Sequence, residues 1–394
     1  MISKITLKKG KQESLLRKHP WVFSGAIAEA SENLEEGEIV DVYSSTGDFL
    51  AKGHCQIGSI AVRILSFVDE EINDAWWSDK IQKAYDVRQA EGLVANQMTN
   101  CYRLVHGEGD SLPGLVVDIY DTVAVVQCHS VGMYLSRTQI CEAIRSVYGN
   151  AITAVYDKSS ATVPFNAGLD AVDEYIYGSA PEKNTVLENG HKFYVNWEKG
   201  QKTGFFLDQR VNRELVAHYA KGRTVLNTFC YTGGFSIYAL GAGANSVDSV
   251  DSSQKAVDLA AENAELNFGA AASHNSIAKD AFEFMKSAHY KYDLIILDPP
   301  AFAKHHKVLG NAMQGYKRLN IAALERIKPG GILFTFSCSQ AVSKELFRTM
   351  VFSSAAIAGR KVRILHQLTQ PADHPINIYH PEGEYLKGLV LFVE

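Results

Sequence analysis

A cysteine and an aspartate stand where two apolar segments of this chain end. Cys338 lies in the run 334–339, which is predicted to be the end of a buried strand. Asp298 directly follows the apolar run 292–297, a second predicted buried strand. Ligands of open α/β sheets bind beyond the carboxyl ends of the strands. A thiol and a carboxylate at that edge indicate covalent attack by the thiol on an electrophilic ring.

Cys338 also has a plainer interpretation, because most free cysteines are small buried apolar side chains. The combination with the Asp298 loop, at the same edge of a predicted sheet, favours the nucleophile. Cys230 is the other loop cysteine, and its place in a glycine-containing turn predicts a packing role.

The loop after Asp298 carries further groups of interest. Pro299 and Pro300 stiffen the loop and leave backbone carbonyls free to line a pocket. Phe302 is a candidate to stack on a planar substrate ring. We therefore predict that Pro299, Pro300 and Phe302 contact the substrate.

Strands and helices alternate through the second half of the chain, which predicts a doubly wound, mainly parallel, Rossmann-like sheet. Two more strands, 361–367 and 387–393, close the chain. The alternating elements are predicted at 208–220 (helix), 224–228 (strand), 234–240 (helix), 246–250 (strand), 253–267 (helix), 292–297 (strand), 312–327 (helix), 331–337 (strand) and 343–355 (helix).

The first half has a different pattern. Residues 1–72 show short alternating strands and predict a small all-β domain. Residues 73–185 predict a central α+β domain, with helices at 73–91 and near 134–148. Residues 186–394 are the predicted third domain. It opens with a hairpin at Asn189-Gly190, a dipeptide that suits a type I′ turn.

Composition sets the broad class. The 394 residues are 46% hydrophobic and 21% charged, as in ordinary globular proteins of several domains. The net charge of −5 excludes a surface that is basic throughout. The first twenty residues are locally basic, which indicates either a nucleic-acid patch or a solvated terminal strand.

The six cysteines are too far apart for a CxxC-type metal or redox site, so the sequence predicts no metal. Reduced thiols fit a cytoplasmic protein. No signal peptide is apparent, and no segment approaches the ~20 apolar residues of a membrane span.

A glycine-containing turn at 229–235 follows one predicted strand and opens a helix. It is not GxGxxG and has no Walker lysine, so it fits a phosphate cradle poorly. Asp251 ends the next strand and is placed to bind a ribose, or to cap the following helix. Asp280 is placed to read an adenine amino group, or to form a capping box with Glu283. A nucleoside ligand without phosphates indicates S-adenosylmethionine.

The chain resembles, over nearly its whole length, the bacterial 23S rRNA cytosine-C5 methyltransferases that carry an N-terminal PUA domain. Its second half, residues 201–394, resembles class I methyltransferases in general. The segments that carry the resemblance are 18–23, 103–108, 112–118, 201–210, 229–235, 298–302, 337–339 and 381–388.

The resemblance implies a PUA domain, a linking domain and a methyltransferase domain that acts on RNA. Asn227 stands where many relatives have aspartate. It lacks the charge that would face the cofactor's amino group, which predicts weaker binding. The contacts to S-adenosylmethionine implied or proposed are Phe206, Asp208, Arg210, Asn227, Phe229, Tyr231, Thr232, Gly233, Asp251 and Asp280.

The chemistry that the resemblance implies uses both Cys338 and Asp298. A thiolate of Cys338 adds to carbon 6 of cytosine and makes carbon 5 nucleophilic. Asp298 at the N3 edge stabilises the protonated adduct. The target base must be unpaired or flipped out of a duplex. Residues 304–307, which are Lys-His-His-Lys, are placed to contact phosphate or to form a solvated loop.

Two other functions stay open at this point. Methylation of an exocyclic amino group also uses Asp-Pro-Pro-aromatic loops, and it needs no thiol. A non-catalytic RNA-binding protein would use the PUA domain and hold the cofactor only structurally. The predicted partner is 23S rRNA in either naked or assembling form, and the exposed edges of the small domains are candidates for a homodimer.

Overall fold

The computed structural model describes residues 2–164, 168–182, 184–270, 272–287, 290–302 and 309–394. The predicted phosphate-contacting loop, 304–307, lies outside these residues. None of the helices in the described ranges combines the length and the apolar character that a membrane span requires. The chain forms two compact units. The first unit comprises Met1–Leu187, Val195–Leu207 and Ala372–Gly383, and the second comprises Glu188–Tyr194, Asp208–Pro371 and Glu384–Glu394.

The first unit begins with a six-stranded sheet of order β2-β6-β5-β4-β1-β3. Strands β1 and β4 pair in parallel, and the other neighbours are antiparallel. Val40, Val42 and Val62 are buried in its core because alternate side chains of a strand share one face. The elements are β1 Ser3–Leu7, α1 Glu13–Leu16, β2 Trp21–Phe23, β3 Ile27–Ala30, β4 Ile39–Tyr43, β5 Phe49–Cys55 and β6 Ile60–Ser66.

A five-stranded sheet of order β11-β10-β9-β8-β7 and three helices follow in the same unit. The predicted helix near 134–148 is two helices, α3 and α4, which meet at Ser136. Asn73 caps α2 by accepting a hydrogen bond from the Trp76 amide at 3.0 Å. The elements are α2 Asp74–Ala90, β7 Cys101–His106, β8 Leu115–Tyr120, β9 Val123–Cys128, α3 Val131–Leu135, α4 Arg137–Tyr148, β10 Ala154–Asp157 and β11 Glu174–Tyr177.

The predicted hairpin is confirmed. Its strands are β12 Thr185–Glu188 and β13 His191–Tyr194. The two turn residues have positive φ angles, 49° at Asn189 and 81° at Gly190, as a type I′ turn requires.

The second unit contains a seven-stranded sheet of order β16-β15-β14-β17-β18-β20-β19. Strands β14 to β18 are mutually parallel, and β20 runs antiparallel to both of its neighbours. This confirms the predicted doubly wound sheet. The elements are α5 Arg210–Ala220, β14 Thr224–Thr228, α6 Gly234–Gly241, β15 Ser246–Asp251, α7 Gln254–Phe268, β16 His274–Ala278, α8 Ala281–Met285, β17 Leu294–Leu297, α9 Leu309–Arg326, β18 Gly331–Ser337, α10 Lys344–Ile357, β19 Val362–Leu368 and β20 Lys387–Val393.

Both faces of this sheet are covered, which explains the unbroken apolar sequence of β17. Leu294 and Ile296 pack in a cluster with residues of α5 and α6. Ile295 and Leu297 point the other way and pack in a cluster with residues of α9 and α10. A central strand buried on both faces fixes the direction in which the following loop, with Asp298, leaves the sheet.

Candidate active site

The candidate site lies along one edge of the seven-stranded sheet. Strands β14 to β18 are parallel, so the residues that follow them emerge at the same edge. In strand order from β16 to β18, this edge carries Asp280, Asp251, the turn 229–233, Asp298 and Cys338. The chain order of the strands reverses between β14 and β17, and ligands of such sheets bind at that switch point.

The turn after β14 holds an unusual backbone. Phe229 and Tyr231 have φ angles of 56° and 47°, which L-residues rarely adopt. The turn is held by hydrogen bonds from the Cys230 amide to the Val250 carbonyl (3.1 Å) and from the Gly233 amide to the Cys230 carbonyl (2.9 Å). Such conformations persist where the surrounding structure enforces them, and they cluster at ligand sites.

Gly233 has a specific packing reason. Its φ is 81°, and a Cβ there would lie 2.9 Å from the Cβ of Ala260 on α7. Only glycine therefore allows α6 to begin this close to α7. Thr232, next to it, is buried, and its carbonyl accepts a hydrogen bond from Asn263 at 2.9 Å.

The two acidic residues of the predicted cofactor site differ in their contacts. Asp251 accepts hydrogen bonds from the Tyr231 amide (3.1 Å) and the Ser253 amide (3.0 Å), while Ser253 itself caps α7. Asp280 caps α8 by accepting a hydrogen bond from the Glu283 amide at 3.0 Å. In the structure Asp280 therefore caps α8, and Asp251 braces the turn after β14.

Asn227 is fully buried near the end of β14. Its side-chain amide donates to Ser236 Oγ at 2.9 Å, and Ser236 is hydrogen-bonded to Ser249 at 2.6 Å. Its Oδ1 atom is buried and has no hydrogen-bond partner among the described residues. A buried acceptor left unpaired is costly, so this atom is placed to bind a donor of a ligand.

The remaining predicted cofactor residues come just before α5 in the sequence or begin it. Asp208 is buried and accepts a hydrogen bond from the hydroxyl of Tyr385 at 2.7 Å. Arg210 is buried and is the first residue of α5. Phe206 belongs to the first unit, where it is half-buried, and the amine of Lys202 lies 5.1 Å from its ring centre.

Asp298 is oriented by an amide that the sequence did not single out. The side-chain amide of Gln209 donates to Asp298 Oδ2 at 3.1 Å. Asn212 in turn donates to Gln209 Oε1 at 2.6 Å, which fixes the orientation of the Gln209 amide. In the sequence, the one indication of a role for Gln209 is its position in the run 201–210, a segment that carries the family resemblance.

The rest of the Asp298 loop is connected to the Cys338 loop. Pro299 is buried and Pro300 is exposed. The half-buried ring of Phe302 packs on Tyr316, with 4.6 Å between ring centres. The Tyr316 hydroxyl is hydrogen-bonded to Ser339 Oγ at 3.1 Å. Tyr316 thus joins the two loops that carry the proposed reactive groups.

Among the six cysteines, all within the described residues, Cys338 is half-buried and the other five are buried. Its neighbour Ser339 accepts, through the backbone carbonyl, a hydrogen bond from Lys387 Nζ at 2.6 Å. Lys387 also donates to the Val342 carbonyl at 2.6 Å. Burial lowers the pKa of Lys387 to about 8, against the opposing influence of nearby Cys338. A buried amine therefore lies beside the thiol.

A cleft of about 260 Å³ opens next to this lysine. Three cationic side chains, Lys344, Arg348 and Lys387, line it together with one acidic side chain, Glu345. Lys344 also forms an ion pair with Glu384. The excess of positive charge suits an anionic ligand such as a phosphate.

Comparison with known proteins agrees with this geometry. A family model described as S-adenosylmethionine-dependent methyltransferase matches residues 103–379. The chain belongs to this family. A PUA-like domain model matches residues 5–67. The predicted fold class and the S-adenosylmethionine cofactor of this methyltransferase are thereby confirmed.

Curated relatives are similar to this methyltransferase over almost its whole length. It is 40% identical over 398 residues to ribosomal RNA large subunit methyltransferase I of Aeromonas hydrophila, with 99% of each chain covered. It is 40% identical over 395 residues to the protein of the same name from Alteromonas mediterranea, with 99% of this chain and 98% of the relative covered.

Two solved structures share the complete fold, each at 27% identity with 100% of both chains covered. One is a presumed S-adenosylmethionine-dependent methyltransferase from Streptococcus mutans, with a TM-score of 0.84. The other is a presumed methyltransferase complexed with SAH, with a TM-score of 0.85.

Proposed function

We propose that this enzyme methylates carbon 5 of a cytosine in 23S rRNA of the large ribosomal subunit. The relatives that are 40% identical carry the name ribosomal RNA large subunit methyltransferase, which supports the RNA class. We choose carbon 5 because Cys338 and Asp298 lie at the ends of the adjacent strands β18 and β17. Free cysteines and an rRNA substrate fit action in a reducing cytoplasm.

The residues around the turn after β14 fit S-adenosylmethionine. Asn227 Oδ1 is a buried acceptor without a partner, suited to the ligand's amino group. Asp251 stands at the end of β15, where an acid binds ribose hydroxyls. S-adenosylmethionine supplies a methyl group on a positively charged sulfur. We assign the rest of the contacts to Phe206, Asp208, Arg210, Phe229, Tyr231, Thr232, Gly233 and Asp280.

Cys338 supplies the nucleophile in this proposal. A free thiol with a pKa near 8.5 is only slightly ionised at pH 7, and a neighbouring cation favours the thiolate. Lys387 provides that cation. The thiolate adds to carbon 6, and the electron density that moves onto carbon 5 makes this carbon reactive. Loss of the carbon 5 proton to a base later expels the thiolate and restores the ring.

Asp298 stabilises the adduct at the opposite edge of the pyrimidine. Addition at carbon 6 increases negative charge at N3, and a carboxyl group held there by Gln209 supports protonation of N3. Pro299 and Pro300 limit the motion of this loop. Phe302 packs on Tyr316 and offers its ring to the base. A duplex base cannot reach these groups, so the target is single-stranded or flipped out.

One alternative is supported by the same loop. The carboxylate of Asp298 and the carbonyl of Pro299 are suitable to hold an exocyclic amino group, and methylation of that group needs no thiol. Lys387 and the half-exposed Cys338 would then have no chemical role. A non-catalytic RNA-binding function, in turn, would leave the whole Asp298–Cys338 pair unexplained.

The methylated atom distinguishes these functions. Full-length protein, S-adenosylmethionine with a tritiated methyl group and an unmodified 23S rRNA transcript are incubated together, and the RNA is digested to nucleosides. We expect the label in 5-methylcytidine. Label in an amino-methylated nucleoside would support the alternative chemistry. No label with either the transcript or 23S rRNA from a deletion strain would support the binding function.

The change of Asn227 to aspartate tests the cofactor assignment. A carboxylate at this position would face the ligand's amino group, and we expect N227D to bind S-adenosylmethionine about tenfold more tightly. The ligand-free variant should lose about 1–3 kcal/mol of stability, because the buried charge is unpaired. Calorimetric titration and thermal denaturation measure the two effects.

The control for this change is N227A, which removes the amide without adding charge. It should bind the ligand no more tightly than the native protein. Equal affinity of N227D and the native protein would remove Asn227 from the cofactor site.

A further inference from the structure

Three potential metal ligands meet in the first unit, and none of them has a role in the proposed methylation chemistry. His19 Nε2 lies 3.8 Å from one carboxylate oxygen of Glu382, and His380 Nε2 lies 3.8 Å from the other. One ligand atom from each of the three residues lies within 4.8 Å of the others. His19 and Glu382 are at opposite ends of the sequence, so no motif could have indicated this cluster.

His380 is the decisive member. This residue is 3% exposed, and neither ring nitrogen has a hydrogen-bond partner among the described residues. Buried polar groups nearly always have partners, so an unpaired imidazole requires an explanation such as an ion. The ring is held in place by Trp21, at 4.3 Å between ring centres, and the Trp21 indole is fixed by its hydrogen bond to Glu108 at 2.8 Å.

A simple ion pair explains the cluster less well. It would leave both ring nitrogens of the buried His380 without a hydrogen-bond partner. Neutral imidazole is the form that binds metal ions. For His19, the Trp21 backbone offers Nδ1 both an amide at 3.2 Å and a carbonyl at 3.4 Å. With Nδ1–H donating to the carbonyl, Nε2 is left available as a ligand, as in many metal sites.

We propose that His19, His380 and Glu382 bind a zinc ion that connects the start of the first sheet to the segment 372–383. Two imidazoles and one carboxylate form a donor set typical of Zn²⁺, with water as the fourth ligand. Tetrahedral bonds of about 2.0–2.1 Å place ligand atoms about 3.4 Å apart. The two histidine–Glu382 separations of 3.8 Å are close to this value, and the three ligand atoms, which lie within 4.8 Å of one another, move closer together when the ion binds.

The proposed role is structural, so it is independent of the methylation chemistry. An ion that binds only the folded protein raises its stability in proportion to the logarithm of its concentration. We expect untagged, chelator-treated full-length protein to bind one Zn²⁺ from zinc chloride, with a dissociation constant in the micromolar range or below. Zinc should raise the melting temperature, and EDTA should reverse this.

Conservative variants identify the ligands. We expect E382Q and H19Q each to weaken zinc binding at least about tenfold and to lose most of the thermal shift. The matched control E32Q changes an exposed glutamate outside the cluster and should behave as the native protein. Substitution by Co²⁺ should give the strong visible absorption of a tetrahedral site in E32Q, and not in E382Q or H19Q.

No variant of the buried His380 is needed for this test. E382Q and H19Q alter more exposed residues, so both should fold and allow zinc binding to be measured. Absence of zinc binding to the native protein would overturn the proposal. So would equal zinc affinity in E382Q, H19Q and the native protein, since the ion would then be held by other residues.

Discussion

Replacement of Cys338 by alanine is expected to reduce methyl transfer to 23S rRNA by at least about 10⁴-fold. Without the thiolate, carbon 5 of cytosine is not made nucleophilic, and no other described group at the sheet edge supplies this step. Binding of S-adenosylmethionine should change by less than about twofold, because Cys338 follows β18, whereas the proposed cofactor residues precede α5, begin it, or lie on or after β14 to β16. Single-turnover rates and calorimetric titration measure the two quantities.

The control variant is C141A. Cys141 is buried in α4, and burial raises its pKa to about 11, so it is an unreactive apolar side chain. We expect native rates and a small loss of thermal stability. This separates the loss of a reactive thiol from the loss of a sulfur atom in general.

A substrate with 5-fluorocytidine examines the covalent step itself. Fluorine at carbon 5 cannot leave as a proton does, so the adduct with Cys338 should persist after methyl transfer. Native protein and C141A should give an RNA-linked band that requires S-adenosylmethionine, and C338A should give none. Full methyl transfer by C338A would rule out the covalent mechanism and favour amino-group methylation.

The elements that support this site were largely predictable from local sequence. The apolar run of β17 and the Asn189-Gly190 turn each specify one local structure, and both are confirmed. Strand β16 was not predicted, because its sequence, His-Asn-Ser-Ile-Ala, has no apolar run. Its burial is partial, and it is recognisable only through its pairing with β15.

The contacts within the site were not predictable in the same way. Gln209 and Asp298 are 89 positions apart, and Lys387 and Ser339 are 48 positions apart. Such pairs depend on how the strands are ordered in the sheet, which periodicity does not encode. The acidic side chains and Cys338 could be placed at one edge of the sheet from the sequence. The side chains that orient them could not. The domain boundaries at 72 and 185 and the homodimer stay predictions.

Lys387 has contacts in the structure that its position in the sequence does not indicate. In the sequence it is one of eight residues in the run 381–388. In the structure it is 4% exposed and holds the carbonyls of Ser339 and Val342, on the chain segment that follows the nucleophile. A buried lysine with two carbonyl partners still carries a full charge when protonated, and Cys338 is one of the groups with which that charge interacts.

We expect K387M to lower the single-turnover rate at pH 7 by about 10²-fold, because the thiolate loses a neighbouring cation. The two carbonyls also lose their donor, so a stability loss of about 1–3 kcal/mol should appear in thermal denaturation. A purely structural lysine would show the second effect without a change in the pH dependence of the rate. The pH profile is therefore the deciding measurement.

The direction of the pH effect follows from the lowered pKa of Lys387. Below about pH 8 the amine is protonated and supports the Cys338 thiolate; above it the charge is lost. The native rate should therefore rise from acid pH and stop rising, or decline, above about pH 8. In K387M the rate should keep rising through this range, because the thiol ionises without help. K387R, which stays charged, should retain the native rate at pH 7 better than K387M and lose the alkaline decline. A K387M profile parallel to the native one would restrict Lys387 to holding the loop.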